Sequence, residues 1–565
     1  MATNPVAGHP AHDENLPGEV DVLVVGAGPV GLTVAVVLRM WGVDVVVLDA
    51  AEGPTSQSRA VWVHPRTTEL LHGMGVAEAM REEAVLLDRI DVHRGNHVHG
   101  SIHYDGRGRT RFPEGMIIEQ SRTQRLLMRR CEQLGVRPRW NSEVSEVRQS
   151  EAYADVRLAG PAGQTIRARW VVGADGARSV VRQEVGLDLV GGTYATSFFT
   201  GDLVLRTGLD RQRAHMSVTP RRTFALLPLP GVDRWRVVAT VPPAVEATLG
   251  SQSGPTGGPD LSADQVEGLM AGLRVPHTIL GQEWATLYRS HHRVVDTFRA
   301  GRVLLAGDAA HIHSPAGGLG MNTGIGDAVN LAWRLAQVAG ARTAEPAHSG
   351  RASADRLLDD YAEERRSVAL DVLRTSDRAF TLQAGSGRLL GLLRTALFPV
   401  VPRIVNATQR GRRFAFNTLS QIGITYRHLP SAERSGVGES AISRLRRRRR
   451  TGLQVGDRLP YATTAAGRHS HEALRPDSFL LLGVGARLDQ LRPVLDEAGL
   501  AYRHDVLPAE VCGQLALREP AAVLVRPDGH VWWRGGAGDP RGLRASLADA
   551  GVLGAGVSAA QAVMR

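Results

Sequence analysis

Residues 20–25 read VDVLVV, after which the chain turns through Gly26-Ala27-Gly28-Pro29-Val30-Gly31 into a run of small and apolar residues, 32–41. A β-branched run of that length suits a buried parallel strand, and the run after it suits a helix packed on a sheet. A second apolar run, 43–48, ends in Asp49. A glycine triplet alone says little, but the order strand, glycine turn, helix, strand, acid specifies a dinucleotide-binding unit. The first glycine permits the tight turn, the second lets backbone approach a pyrophosphate, and the third allows close helix–strand packing. Gly26, Gly28, Gly31 and Asp49 are therefore candidate dinucleotide-binding residues.

Composition removes several chemistries. The 67 basic residues are all arginine, because no lysine occurs. A Schiff-base enzyme and a lysine-bearing phosphate loop are thereby excluded. The formal charge of +10 invites a nucleic-acid reading, but residues 444–450 (RLRRRRR) carry six arginines of the excess, and such a run is most often a solvated loop. Cys131 and Cys512 form no CxxC, so neither a disulfide framework nor a thiolate zinc site is expected, and Cys131 reads as a packed side chain. Residues 1–17 are polar and read as a disordered tail rather than a signal peptide. No apolar run approaches the ~20 residues of a membrane span, and the expectation is a cytoplasmic protein with neither nucleic-acid nor membrane partners.

Along the chain, 89–112 and 152–172 alternate like antiparallel strands, 187–299 is strand-rich with helical character near 262–273, and 302–306 forms another buried strand before a glycine-rich loop and a helix over 326–338. A charged helix is expected over 355–376. A final domain begins near 456, with a strand at 478–482, a helix over 488–498 and a hairpin over 522–533 turning at Asp528-Gly529.

Two further motifs complete the pattern. Residues 170–182 read WVVGADGARSVVR, and 301–334 read GRVLLAGDAAHIHSPAGGLGMNTGIGDAVNLAWR. The trio, in this order over about 300 residues, resembles the class A flavoprotein aromatic hydroxylases, the group of para-hydroxybenzoate hydroxylase, phenol hydroxylase and the polyketide-tailoring hydroxylases of actinobacteria. The resemblance implies an α/β fold: a Rossmann-like FAD-binding domain (18–88, 113–187 and 295–376), an inserted β-rich substrate domain (89–112 and 188–294), a helical segment and arginine-rich linker (377–455), and a thioredoxin-like C-terminal domain (456–565). It implies that Gly26, Gly28, Gly31 and Asp49 hold the ADP half of FAD, that Arg59 of the RA dipeptide touches the flavin, and that Gln120 lies near the ribityl chain. Asp308 would take ribityl hydroxyls, Gly320, Met321 and Asn322 would contact the isoalloxazine ring, Pro315 would face the substrate, and Asp175 would serve both FAD and the nicotinamide cofactor. Arg222 and Phe224, on the strand TFALLPLP, are placed near the flavin or pocket. There are departures: Leu319 and Gly326 replace two glutamines of the family loop, which would alter polarity beside the flavin, and Gln124 stands where the family has glutamate.

The chemistry so implied uses NADPH or NADH to reduce FAD and O2 to form a C4a-hydroperoxide that hydroxylates an aromatic small molecule, with the cofactor carrying the hard step. A homodimer is expected through the C-terminal domain, which lacks a CxxC and so has no dithiol role. Baeyer–Villiger insertion, antibiotic modification and a non-catalytic flavin-binding partner are the alternatives. No metal site is expected. His93, His97, His99 and His103 fall at even spacings but read as solvated, His311 and His313 read as loop supports, and His291-His292 either reach the pocket or end a strand.

Overall fold

A computed structural model of the 565-residue chain describes residues 16–55, 60–103, 106–160, 163–219, 222–241, 245–246, 261–314, 317–339, 348–384, 400–427, 429 and 452–549. Arg59, Pro315, the N-terminal tail and the arginine run lie outside them. The strands Val303–Leu305, Thr165–Gly173, Glu19–Val25 and Val45–Leu48 lie side by side and all parallel. Helix Pro29–Met40 crosses between the last two, as the glycine turn requires. Every side chain from Val22 to Val24 is wholly buried, which explains the unbroken apolar run there.

The β-rich part is one eight-stranded sheet. Two 18-residue strands, His277–Val294 and Val190–Thr207, lie second and third from one edge, with Arg234–Val241, Thr223–Pro228 and Arg213–Val218 following in order. Strand His311–Ile312, which belongs to the third motif, pairs with Arg293 and Val294 at one edge and so stitches the flavin-loop segment to the sheet. One face of the sheet is covered by helix Ala263–Met270, which begins with a capping box between Ser262 and Gln265.

The long helices start earlier than their sequence suggests. The expected helix at 326 begins at Gly320 and runs to Ala339, and the charged helix spans His348–Ala384. Glycines read as helix breakers, but here Gly324 lets the helix pass the glycine turn: a Cβ there would sit 2.7 Å from Cγ2 of Val30.

The C-terminal part is a four-stranded sheet, Tyr502–Leu507, Phe479–Val484, Ala521–Val525 and Val531–Gly535 in that order, with the hairpin turn at Gly529 (φ +78°). It packs on the long helices through Trp333, whose ring meets Phe479 edge-on at 5.6 Å and Trp532 at 5.4 Å. Beside these rings lies a wholly buried ionic junction. Arg526 donates to both carboxylate oxygens of Glu364 (2.7 and 2.9 Å), Arg334 reaches the same group at 2.9 Å, and Asn330 bridges Glu364 to Asp528. Burial opposes ionisation of Glu364, but the two guanidinium groups outweigh it and hold its carboxyl down at about 2. Glu364→Ala leaves two buried guanidinium groups without their carboxylate, and chemical denaturation followed by tryptophan fluorescence should show a loss of about 3–5 kcal/mol. The wild-type contribution of this carboxylate is present above its unfolded-state pKa and is lost as pH falls from about 4.5 through about 2.

Candidate active site

The glycine turn is built by steric exclusion. Gly26 has φ +108°, and a Cβ on it would run into the carbonyl of Ala174; a Cβ on Gly31 would run into the carbonyl of Gly26. Gly28 differs from both, because nothing lies within 4 Å of where its Cβ would be. It precedes helix Pro29–Met40 with no side-chain cap, so the first N–H groups of that helix face open space. Asp49 at the end of its strand accepts from the Ala27 N–H (2.7 Å) through Oδ2 and from the Ala51 N–H (2.9 Å) through Oδ1. Gln124 donates from Nε2 to the Ala27 carbonyl at 2.8 Å, a bond that an ionised glutamate could not supply. That departure from the family pattern is therefore part of how this turn is held.

The first and third motifs meet at Val30, and the second meets the first at Gly26, where the Ala174 carbonyl takes the place of a Cβ. A Cβ on Gly307, in the turn Gly307–Ala309, would lie 2.9 Å from Val30, and Gly324 meets the same side chain. Asp308 stands exposed on this turn, next to the open helix N-terminus. Arg182 ties the second motif to the third, donating to the carbonyls of Ala309 (3.2 Å) and Ala177 (3.1 Å). Asp175 is occupied differently from expectation: its carboxylate accepts from the Ser179 hydroxyl and the Val181 N–H, holding the turn into helix Val180–Glu184, and burial raises its pKa. Gln120 accepts from the Ala60 N–H at 3.1 Å and so fastens the residue next to Arg59.

The flavin-loop segment is held from behind. Gly317 and Gly318 both adopt positive φ (+86° and +63°), and the helix starts at Gly320 with Met321 half-buried against the core. The Asn322 side chain is spent on backbone: it donates to the carbonyls of Trp62 (2.7 Å) and Gly318 (2.8 Å) and accepts from the His64 N–H (2.8 Å). His64 Nε2 donates to the Gly317 carbonyl at 2.8 Å, and burial holds its pKa down at about 4. Buried Asp327 accepts from the Gly307 N–H (3.1 Å), pairs with His311 (2.7 Å) and receives Arg365 (2.7 Å). His313 follows, its Nε2 2.9 Å from Nδ1 of His311. These histidines support the loop. Asp327 lies inside the third motif with nothing in its neighbourhood to mark its role, and Arg365 carries no local sequence signal.

The loop departures face away from the open side. Leu319 packs with Val368, Val372, Tyr426 and Leu429, and a Cβ on Gly326 would lie 3.1 Å from the Arg365 guanidinium. Both positions turn toward helix His348–Ala384, whereas the resemblance would set them beside the flavin.

Arg222 and Phe224 require a correction. Phe224 is wholly buried among Phe199, Trp235 and Leu269, under helix Ala263–Met270. Arg222 lies over its ring at 4.8 Å and donates to the carbonyls of Thr240 (3.1 Å) and Leu269 (2.6 Å), while burial lowers its pKa to about 10. Strand side chains alternate, so an error of one residue in parity reverses the face. The opposite face looks toward the flavin loop: Ala214 and Leu227 pack there on Trp62, whose carbonyl Asn322 holds. His93 pairs with buried His215 (3.0 Å) rather than with His97, His99 and His103. His291 and His292 lie within a continuous strand, His292 4.6 Å from the Tyr194 ring. Cys131 is buried, its thiol pushed up to about 12, and both cysteines are free.

Two expectations follow from this geometry. Gly31→Ala should lose folded protein, whereas Gly28→Ala should fold with unchanged apoprotein melting and bind FAD about tenfold or more weakly, as read by fluorescence titration. For His64, the folded loop resists protonation, so its stabilising effect should fall as pH drops from 6.5 through about 4. Released-FAD fluorescence should report that loss, and His64→Gln, a donor that does not titrate, should flatten it.

Comparison with known proteins agrees with these observations. Residues 19–376 match the FAD binding domain family, and residues 453–554 match the C-terminal part of aromatic-ring hydroxylases. The 6-methylpretetramide 4-monooxygenase of Streptomyces rimosus is 38% identical over 396 residues, 68% of this chain and 65% of that protein. A 12-dehydrotetracycline 5-monooxygenase/anhydrotetracycline 6-monooxygenase of the same species is 32% identical over 530 residues, 91% and 95% of the two chains. The solved anhydrotetracycline hydroxylase of Streptomyces rimosus superposes with a TM-score of 0.69 at 28% identity, covering 94% of this chain and 99% of that one. With the first motif meeting the third at Val30 and the second at Gly26, and both halves of the chain matched, this protein belongs to the FAD-dependent aromatic-ring hydroxylases.

Proposed function

We propose that this enzyme hydroxylates a phenolic, polyketide-derived aromatic at a site between the flavin loop and the sheet face that looks toward it. The observation that carries the reading is the meeting of the first glycine motif with the third at Val30 and with the second at Gly26, in front of an uncapped helix N-terminus, with an exposed Asp308 beside it. The residues fit FAD. The open space at Gly28 suits a pyrophosphate on the N–H groups of helix Pro29–Met40, Asp49 retains lone pairs for a ribose, and Asp308 is placed for ribityl hydroxyls. Gln120 would act by holding Ala60, and Asp175 and Asn322 by fixing turns, with the backbone at Gly320 and Met321 facing the ring system. Arg59 and Pro315 complete the proposed site. Bound FAD supplies hydride acceptance from NADPH or NADH and the activation of O2. The protein's part is to orient the substrate and exclude water, for which the Trp62 and Leu227 packing provides an apolar rim.

The C-terminal part we read as thioredoxin-like. Its first two strands, Phe479–Val484 and Tyr502–Leu507, run parallel, the next two run antiparallel to their neighbours, and helix Pro540–Asp549 follows. Its one cysteine, Cys512, is free and belongs to no CxxC, which argues for a structural role, and this we extend to a homodimer in the cytoplasm. Among the described residues no helix is long and apolar enough to cross a membrane.

Anaerobic reduction of the yellow protein by NADPH and by NADH, with and without a panel of phenols and polyketide aromatics, tests the reading. One ligand should accelerate reduction and, after an oxygen pulse, gain a single oxygen atom by mass analysis. Reduction indifferent to every ligand, with only peroxide formed, would overturn the hydroxylase assignment.

A further inference from the structure

Residues 400–427 lie in the stretch that sequence alone reads as a helical segment and linker, and no motif marks them. Beyond helix Gln409–Ser420 this stretch carries Tyr426, a wholly buried side chain. The C-terminal part holds it in place. Its N–H donates to the Gly456 carbonyl at 2.8 Å, the Arg526 guanidinium lies 5.2 Å over its ring, and the His530 ring is 4.5 Å away. The hydroxyl serves a different part of the molecule, accepting from Arg365 Nη1 at 2.9 Å.

Arg365 divides its three nitrogens among three partners. Nη1 goes to Tyr426, Nε to the Asp327 carboxylate at 2.7 Å, and Nη2 to the Thr323 carbonyl at 3.1 Å. Asp327 in turn takes the Gly307 N–H and His311, and Thr323 lies in the first turn of the helix that starts at Gly320. The Tyr426 side chain also packs with Leu319, immediately before that helix. All three routes from Tyr426 therefore end between residues 307 and 323, on the loop read above as facing the flavin.

A neutral phenol suits this position. Arg365 already balances Asp327, so a second carboxylate would bring an unmatched charge into the interior. Burial raises the Tyr426 pKa, and Glu364 and Asp528 act in the same direction against Arg365 and Arg526, so the hydroxyl keeps its proton. Phenylalanine would fill the same space but leave a buried guanidinium N–H without an acceptor.

We infer that the Tyr426 hydroxyl is a positioning group for the flavin: by seating Arg365 on Asp327 and Thr323, it makes the geometry of residues 307–323 depend on the C-terminal part. Without the hydroxyl, the guanidinium shifts off its two loop partners and the turn that carries Asp308 loosens. The C-terminal part thus contributes to cofactor binding although none of its residues belongs to a glycine motif. The inference rests on the flavin-loop reading above and adds a determinant outside the three motifs.

The test compares Tyr426→Phe, Arg365→Lys and the double variant with wild type in the full chain. A lysine keeps the charge on Asp327 but offers one compact ammonium where three partners need a fork. Leu481→Ala, in a different core cluster of the C-terminal sheet, is the reference for simple loss of stability. Hydrogen exchange of the apoprotein reads the loop, while fluorescence titration with FAD and the visible spectrum of the bound flavin read the cofactor. Each single relay variant should speed exchange around Gly307 about tenfold, weaken FAD about five- to tenfold and shift the flavin spectrum. The double variant should lose no more than Arg365→Lys alone, because both substitutions break one relay. Leu481→Ala should lower the melting temperature and leave the other three readouts at their wild-type values. Wild-type exchange and affinity in Tyr426→Phe, or losses that add in the double variant, would overturn the positioning role. Faster exchange at unchanged FAD affinity would instead strike the reading that places FAD on this loop.

Discussion

The cofactor site depends on one buried carboxylate. Asp327 sits wholly out of water on the helix that follows the flavin loop, and three groups from three segments converge on it: the Gly307 N–H, the His311 ring and the Arg365 guanidinium. Isolated, such a charge would cost several kcal/mol to bury. Satisfied on every side, it fixes where the turn before Asp308 ends, how the strand His311–Ile312 leaves it, and how the helix His348–Ala384 lies behind both. The glycine turn is then located through Val30, which touches Gly307 and Gly324. A polar network that nothing in the reaction consumes thus determines the geometry of the groups that face the cofactor.

Much of this was legible in the amino-acid order. The strand, the turn and the acid at Asp49 are local signals, and the first and third glycines have the tight-turn and close-packing roles their spacing implies. The C-terminal hairpin at Gly529 was equally local. What escaped was set by tertiary contact. A run rich in glycine hides a helix start when the glycines serve close passage, as at Gly324, rather than chain reversal. Strand parity could not be read for 222–228, because both parities are apolar; the alternation that distinguishes them appears only in the partners, Phe199 and Trp235 on one face, Trp62 on the other. Leu319 and Gly326 looked like changes to a binding surface, and they are changes to a packing surface. Asp327 and Arg365 are 38 residues apart, and nothing in either neighbourhood announces the other.

The sheet shows how one element serves two purposes. Its outer face, with Phe224, Phe199 and Leu287 beneath the helix Ala263–Met270, supplies the core of the β-rich part. The inner face carries the buried, bidentate Arg236–Asp202 pair, which has to be kept whole because either charge alone would be left buried without its partner.

The ionic junction around Glu364 has a consequence for how such chains diversify. In sequence, the C-terminal part begins near residue 456, after an arginine-rich stretch read as a linker, and looks like a module that could be exchanged. In energy there is no break: Arg526 and Asp528 come from that part, Arg334, Asn330 and Glu364 from the helices beneath it, and Arg66 reaches the Asp528 carbonyl from further upstream. A chimera joined at the apparent linker inherits half of a charge balance. The heritable unit is therefore the set of positions 66, 330, 334, 364, 526 and 528, and recombination between relatives succeeds only where that set travels together or already agrees.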